Sequence, residues 1–314
     1  MDKSKKKTKF SIILTVIITL VVLVILWIGT ALGLYGVYFG RRCDSNPVLM
    51  NHTYDFEGLE RTRYEFPSDK GQIIAGYMYT SSLSEEDPKG IIVFSHGYGD
   101  GGHNAYMNVI DHLAKNGYLV FAYDVTGCDE SAGDAIGGVP QGVIDLDHAI
   151  DYVEDSGNFP DLPIGLFGHS WGGYSACNVL LYHPEIEAVI ECSGPCSSTD
   201  LLEAGGKNAV GPLIYIFIPV LKIYEQIRFG DYAVNSALDG FAATDAKVMV
   251  VHGEKDELIP VRYGYDIYFD HYKDDPRFVF KMLKGTGHNE YLNVERNPEL
   301  FESFTVFYDS YLSK

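Results

Sequence analysis

Hydrophobic positions along the chain follow three rhythms, and each predicts a different kind of element. The first is unbroken: from Phe10 to Gly40 there is no charged side chain, and residues 12–27 are almost wholly Ile, Leu, Val and Thr. A soluble core helix rarely lacks a polar face for so long. About 20 helical residues rising 1.5 Å each cross a hydrocarbon core of roughly 30 Å, with every backbone polar group satisfied inside the helix. The stretch therefore predicts one N-terminal transmembrane helix.

The second rhythm is a series of short apolar runs, and the third is helical. Residues 64–66 and 73–79 read as a leading pair of strands around a turn at 68–71. Runs at 91–95, 118–123, 164–168, 188–190 and 248–251 then alternate with helical patterns. Tyr106, Val109, Ile110 and Leu113 share one helix face, as do Val139, Val143, Leu146, Ile150 and Val153. After the breaker Pro298, Leu300, Phe304, Phe307, Tyr308 and Tyr311 recur at the same spacing and predict a last helix packed on the sheet. Buried strands joined by right-handed crossovers give an α/β domain with a mostly parallel, doubly wound sheet.

One region breaks the alternation. Between Cys196 and Lys247 come Gly205, Gly206, Gly211 and Pro212, then an apolar block at 213–224. It reads as a cap over the site, and the block either completes the cap's own core or lines a channel for an acyl chain. The predicted organisation is a basic tail and anchor at 1–42, a connector at 43–60, and one catalytic domain at 61–314 with its cap at about 197–246.

Composition and charge sharpen this picture. The 314 residues are 46% hydrophobic, with 23 Tyr and 17 Phe, which suits one large core and not a disordered chain. Lys3, Lys5, Lys6, Lys7 and Lys9 precede the apolar span, whereas Arg41 and Arg42 follow it. That bias predicts a single-pass protein with a cytoplasmic N-terminus and an extracytoplasmic domain. The rival is a cleaved signal peptide, whose apolar region is normally shorter. Residues 43–314 hold 17 Lys or Arg against 42 Asp or Glu, a net of −25. Such a field disfavours nucleic acid and anionic membrane surfaces and names no protein partner. Cys43, Cys128, Cys177, Cys192 and Cys196 form neither a disulfide framework nor a metal spacing. Cys192 and Cys196 are two buried thiols or a local bridge. Neither H-E-x-x-H nor paired-ligand spacing occurs, so no metal or organic cofactor is implied.

The candidate chemistry begins at GLFGHSWGGYSA, residues 165–176. Gly168, Ser170 and Gly172 stand there in a G-x-S-x-G pattern, with His169 inside it, between an apolar strand and a helix. The bare pattern is weak, but its place is informative. A sharp strand-to-helix turn lifts the serine oxygen out of the sheet, and glycines flank it because a Cβ would clash. The helix start and the Trp171 backbone N–H then point where an oxyanion would form. A hydroxyl needs a base held in one tautomer by a carboxylate. Asp256, in HGEKDELIP after the strand at 248–251, and His288, in GTGH after a candidate last strand at 278–283, each sit just past a strand's C-terminal end, where ligand sites of open α/β sheets collect. His96, His103, His169 and His252 compete for the base, and Glu254 and Asp200 for the acid. His169 is expected to turn away from the serine, and His96 and His252 to support loops. The second oxyanion donor is expected from His96, Gly97 and Tyr98 in FSHGYGDGG, with the Tyr98 N–H preferred.

In this order, SHGYGD, GHSWGG, VHGEKDELIP and GTGH resemble the α/β-hydrolase superfamily, in particular its single-domain esterases, monoacylglycerol lipases or lysophospholipases, and serine aminopeptidase-like members. The resemblance covers about residues 60–314. It implies an α/β-hydrolase fold and hydrolysis through an acyl-enzyme, with Ser170, Asp256 and His288 as triad and Tyr98 and Trp171 as oxyanion donors. One loop departs: many relatives carry Asp-x-x-Gly-x-Gly-x-Ser where this chain reads DVTGCDES, so that Asp129 replaces the second Gly.

Two other classes compete. Gly97, Gly99 and Gly102 also spell G-x-G-x-x-G after a strand, with Asp124 closing the next one, the outline of a dinucleotide-binding oxidoreductase. A non-catalytic binding module on the same fold is the other. Among enzymes, carboxylic ester hydrolase and serine peptidase share the machinery. The apolar block and the anchor tilt the reading toward a small-molecule or lipid ester substrate, with the membrane engaged through the N-terminal helix.

Overall fold

A computed structural model describes residues 3–48, 50–84, 87–99 and 101–312; of residues 3–6 and 8 only the helical backbone is described. Asp100 of the SHGYGD motif lies outside the described residues. The chain opens with α1, Lys3–Phe39. Eight strands follow: β1 Leu59–Pro67, β2 Ile73–Ser81, β3 Ile91–Ser95, β4 Leu119–Tyr123, β5 Ile164–His169, β6 Ala188–Cys192, β7 Lys247–Gly253 and β8 Phe278–Leu283. They form one sheet in the order β1-β2-β4-β3-β5-β6-β7-β8. β1–β2 and β2–β4 are antiparallel, and all other pairs are parallel. Strands β3 and β6 are buried at every position, as expected where helices cover both faces of a parallel sheet.

Helices α2 (Met107–Lys115) and α10 (Pro298–Tyr311) bury Val109, Ile110, Leu113, Phe304 and Tyr308 on one face. Helices α3 (Gln141–Asp155) and α4 (Trp171–Asn178) cover the other with Val143, Leu146, Ile150, Trp171 and Tyr174. The expected mostly parallel, doubly wound sheet is present. Between β6 and β7 the irregular region folds as α5 (Ser198–Val210), α6 (Ile214–Phe229), α7 (Asp231–Val234) and α8 (Ala237–Ala243), and α9 (Tyr265–Tyr272) follows β7. Cys192 and Cys196 are separate buried thiols with no disulfide between them.

The N-terminal boundaries differ from the expectation. β1 starts at Leu59, inside the expected connector. Helix α1 has an exposed first part and a last part packed on the domain. Its side chains are exposed from Phe10 to Leu26, but Ala31, Tyr35 and Phe39, four residues apart and so on one face, are buried in the core shared with α3 and α4. Trp27 Nε1 donates to Ile216 O of α6 at 2.9 Å, and Tyr35 OH donates to Glu225 Oε1 of α6 at 2.7 Å. Glu225 also accepts from Ser198 Oγ and from Val139 N at 3.3 Å, so one buried carboxylate joins α1, α5, α6 and the start of α3. The segment after α1 is equally tied down. Arg42 donates to the carbonyls of Asp129, Ser131 and Gly133, and the Cys43 backbone pairs with that of Cys128 in an isolated parallel β-bridge.

Candidate active site

The elbow after β5 is built as the flanking glycines require. Ser170 adopts φ 57 and ψ −118, a conformation L-residues rarely hold. A Cβ on Gly168 would run into the backbone of Gly172, and one on Gly172 into the carbonyl of Ser95. Ser170 N donates to Cys192 O at 2.8 Å, and Tyr174 N donates to Ser170 O at 3.0 Å, which fixes the turn against β6 and starts α4.

Ser170, Tyr98, Trp171, His169 and His288 line one cavity of about 400 Å³, closed on other sides by Leu201, Asn208, Leu258 and Ile259. His288 Nδ1 lies 2.6 Å from Asp256 Oδ2. Among the described residues, no hydrogen bond joins Ser170 Oγ to the His288 ring. Gly97 N donates to Tyr106 OH at 3.0 Å, whereas no acceptor among the described residues takes the Tyr98 or Trp171 amide, which leaves both free to meet a ligand oxygen.

Asp256 sits at the centre of a donor cluster. Its Oδ1 accepts from Leu258 N at 3.0 Å and Ile259 N at 2.8 Å. Its Oδ2 lies 3.3 Å from His252 Nε2 in addition to His288. Burial opposes ionisation of this carboxyl, but the hydrogen bonds from His252 and His288 outweigh it and hold the group well below the usual carboxylate range. From its place at a strand end, His252 is expected only to support a loop. Its Nε2 does hold the Ile259 carbonyl at 2.8 Å, but it also backs the acid, and its spacing of four from Asp256 was the available signal.

His169 is likewise more than a turn residue. Its ring packs 4.7 Å from that of His288, its Nε2 lies 3.2 Å from His288 O, and its Nδ1 lies 2.9 Å from Tyr106 OH. Burial, then the neighbouring His288, pushes the His169 imidazole well below its ordinary pKa, so it is neutral packing beside the candidate base. Beneath the elbow Glu191 is wholly buried. Its Oε1 accepts from Gly194 N, its Oε2 has no partner among the described residues, and burial raises its pKa to about 8.

The competing residues are occupied elsewhere. Glu254 Oε2 accepts from Gly285 N at 2.9 Å, and the Asp200 carboxylate accepts from the hydroxyl of Ser197, the residue that caps α5. His96 Nε2 accepts from Val125 N at 3.0 Å. The dinucleotide outline loses its ribose anchor, because the buried Asp124 already accepts from His103 N at 3.1 Å, His103 Nδ1 at 2.7 Å and Glu130 N at 3.3 Å. Its helix α2 also starts only at Met107. Away from the cavity, Asp147, Asp151 and His183 lie close enough together to share an ion. Both His183 nitrogens are already engaged, by Asp147 at 2.6 Å and Glu185 at 2.8 Å. Burial works against the charge on that ring, yet these carboxylates raise its pKa to about 9; the group is a clamped imidazolium.

The departing loop has a structural use. Asp129, at φ 38, accepts from Ser45 N at 2.5 Å, Ser45 Oγ at 2.6 Å and Gly102 N at 2.8 Å. A glycine there would be less strained but could not join the segment after α1 to the loop that carries Tyr98.

A family model described as serine aminopeptidase, S33, matches residues 86–231, a span that contains Ser170 but stops before Asp256 and His288. A monoacylglycerol lipase of Mycolicibacterium smegmatis is 26% identical over 222 residues, which cover 59% of this chain and 76% of that protein. The acylamino-acid-releasing enzyme of Rattus norvegicus is 23% identical over 57% of this chain, and the match spans only 25% of its own length. Among solved structures, an esterase of Pyrococcus furiosus superposes with a TM-score of 0.66 at 18% identity, covering 87% of this chain and 99% of that one.

Proposed function

We propose that this chain, which has an α/β-hydrolase fold and matches the serine aminopeptidase, S33, family model over residues 86–231, is a membrane-anchored serine hydrolase cleaving carboxylic esters, with lipophilic acyl esters favoured. The observation that carries this is the 2.6 Å contact between His288 Nδ1 and Asp256 Oδ2 at the cavity that also holds the strained Ser170.

In the proposed reaction Ser170 Oγ attacks the ester carbonyl carbon as its proton passes to His288 Nε2. Asp256 holds the ring in the tautomer that leaves Nε2 basic and stabilises the imidazolium that forms. The carbonyl oxygen, now negative, accepts from the Tyr98 and Trp171 amides; one such donor is worth about 3 kcal/mol in the transition state. Collapse expels the alcohol, which takes the proton from His288. Water then releases the acid by the same route in reverse.

Serine peptidase is the second reading, favoured by the description of the matching family and by the rat relative's name. Against an aminopeptidase stands the lining of the cavity. Among the described residues that border it, no Asp or Glu is present to pair with a substrate ammonium, and a buried charge without a partner is expensive.

Membrane anchoring rests on α1. Residues 10–26 rise about 25 Å along the helix, near the hydrocarbon thickness, and their side chains are exposed. The lysines before the span support a cytoplasmic N-terminus and an extracytoplasmic domain. The burial of Ala31, Tyr35 and Phe39 supports a helix retained in the mature protein.

Fluorophosphonate labelling of the full chain in detergent tests the reaction class: a covalent adduct on wild type that Ser170→Ala abolishes is expected. No adduct on folded protein refutes it. A parallel assay of p-nitrophenyl esters and aminoacyl amides separates the two readings, and turnover of amides alone would replace esterase by peptidase.

A further inference from the structure

A second cavity, about 160 Å³, lies beside the first and shares Tyr98, Trp171, Leu201 and Gly205 with it. Its outer wall comes from the last turns of α1, through Leu34, Tyr35, Tyr38 and Phe39, and its far wall from α6. The aromatic residues around it turn key polar atoms away. Tyr35 OH is held by Glu225, Tyr98 OH donates to Tyr38 O at 2.7 Å, and Trp171 Nε1 donates to Val139 O at 2.8 Å. What faces the space is ring and aliphatic surface. An enclosed apolar space gains free energy only from an apolar occupant.

The space is also kept open at a cost to the helix beside it. Helix α5 carries Gly205 and Gly206 in its interior, where each glycine is less stable than alanine by about 1 kcal/mol. A Cβ on Gly205 would meet nothing within 4 Å, so close packing does not explain that glycine. Its position on both cavities does: a side chain there would stand in the passage between them.

We propose that this cavity receives the acyl chain of the substrate and that α1, besides anchoring the protein, is a specificity-determining wall of the acyl site. The inference rests on Ser170 forming an acyl-enzyme. Trp171, next to the nucleophile, borders both spaces, so an acyl group bonded to Ser170 Oγ has its carbonyl oxygen toward the Tyr98 and Trp171 amides and its alkyl chain running past Gly205 toward Leu34. The substrate class is a neutral ester of a lipophilic acid. The membrane helix and the chain-length pocket are then one structure.

The test is a p-nitrophenyl ester series, acetyl to palmitoyl, on full-length wild type, Leu34→Trp, Leu34→Ala and Gly205→Leu in detergent micelles, read as the ratio of kcat/KM for octanoyl over acetyl ester. Filling the α1 wall in Leu34→Trp, or the passage in Gly205→Leu, lowers that ratio by about tenfold or more, because loss of room for even one methylene is worth that much in an apolar pocket. Leu34→Ala moves the optimum to a longer chain. A ratio unchanged in both Leu34 variants, while Gly205→Leu lowers it, removes α1 from the acyl site; no change in any variant removes the cavity as well. Failure of wild type to hydrolyse any ester or to take a fluorophosphonate on Ser170 instead overturns the reaction class, and the inference with it.

Discussion

His252 and His288 meet on one oxygen of Asp256: His252 Nε2 lies 3.3 Å from the same Oδ2 that faces His288 Nδ1 at 2.6 Å. One carboxylate oxygen therefore serves two imidazoles, while the other is filled by the Leu258 and Ile259 amides. Nothing in this arrangement leaves Asp256 free to rotate.

Asp256→Asn is expected to keep that geometry but supply the wrong hydrogen-bonding partner to His288 Nδ1. For the proposed triad kcat falls by about 10⁴-fold with little change in KM. Steady-state hydrolysis of a p-nitrophenyl ester checks it; a loss below about tenfold would show that Asp256 is not the orienting acid.

His252→Leu is expected to move acid unfolding to higher pH. The Asp256 carboxyl is depressed in the folded state, so its contribution to stability is present above the ordinary carboxylate pKa of about 4 and is lost as pH falls through the folded value. Without His252 the folded value moves back toward 4, so less of this stability is present above pH 4 to begin with and unfolding is reached at a higher pH on acidification. Melting temperatures between pH 2 and 6 read this directly.

Glu191→Gln is expected to stabilise the protein near neutral pH. The buried Glu191 has a folded pKa of about 8, above its unfolded value of about 4.3. Stability linked to this proton is fully present below the unfolded value and declines as pH rises to the folded one. The neutral amide does not titrate, so the advantage of the variant in melting temperature grows from pH 4 to 8.

Two truncations should separate the halves of α1. Removing residues 1–26 deletes exposed apolar surface and is expected to give a soluble, folded hydrolase. Removing residues 1–40 also takes Ala31, Tyr35 and Phe39 from the core, where a large apolar side chain contributes about 2 kcal/mol. A markedly lower melting temperature is expected for the second truncation alone.

Asp129→Gly restores the loop pattern of many relatives and relieves a left-handed backbone, yet it is expected to loosen the structure. It leaves Ser45 N and Gly102 N without their acceptor. Hydrogen exchange at these two amides should accelerate by about tenfold or more.

Much of the sheet is legible in the sequence because buried parallel strands are uninterrupted apolar runs; 91–95 and 278–283 match β3 and β8 to the residue. β6 reads short, at 188–190, because Glu191 resembles a break, and only the fold makes a buried glutamate tolerable beside Gly194 N. β1 hides in alternating charge, LERTRYEFP, since its outer edge faces solvent. The double use of α1 could not be read, because a pattern of Ala31, Tyr35 and Phe39 has no contrast inside a helix that is apolar on every side. At the site, local rules led to Ser170, Asp256 and His288, each just past a strand end. The backing of Asp256 by His252 and the tilted packing of His169 against His288 depend on how separate loops converge, which spacing alone does not carry.

The grip of Asp129 on Ser45 and Gly102, with the Tyr98 hydroxyl on Tyr38 O, makes a short mechanical linkage between the N-terminal helix and the loop that carries the Tyr98 amide. A sideways pull or tilt imposed on that helix by its surroundings is delivered within a few bonds to the position of the Tyr98 N–H. Helix and loop are thereby coupled, much as a lever carries load from one end to the other.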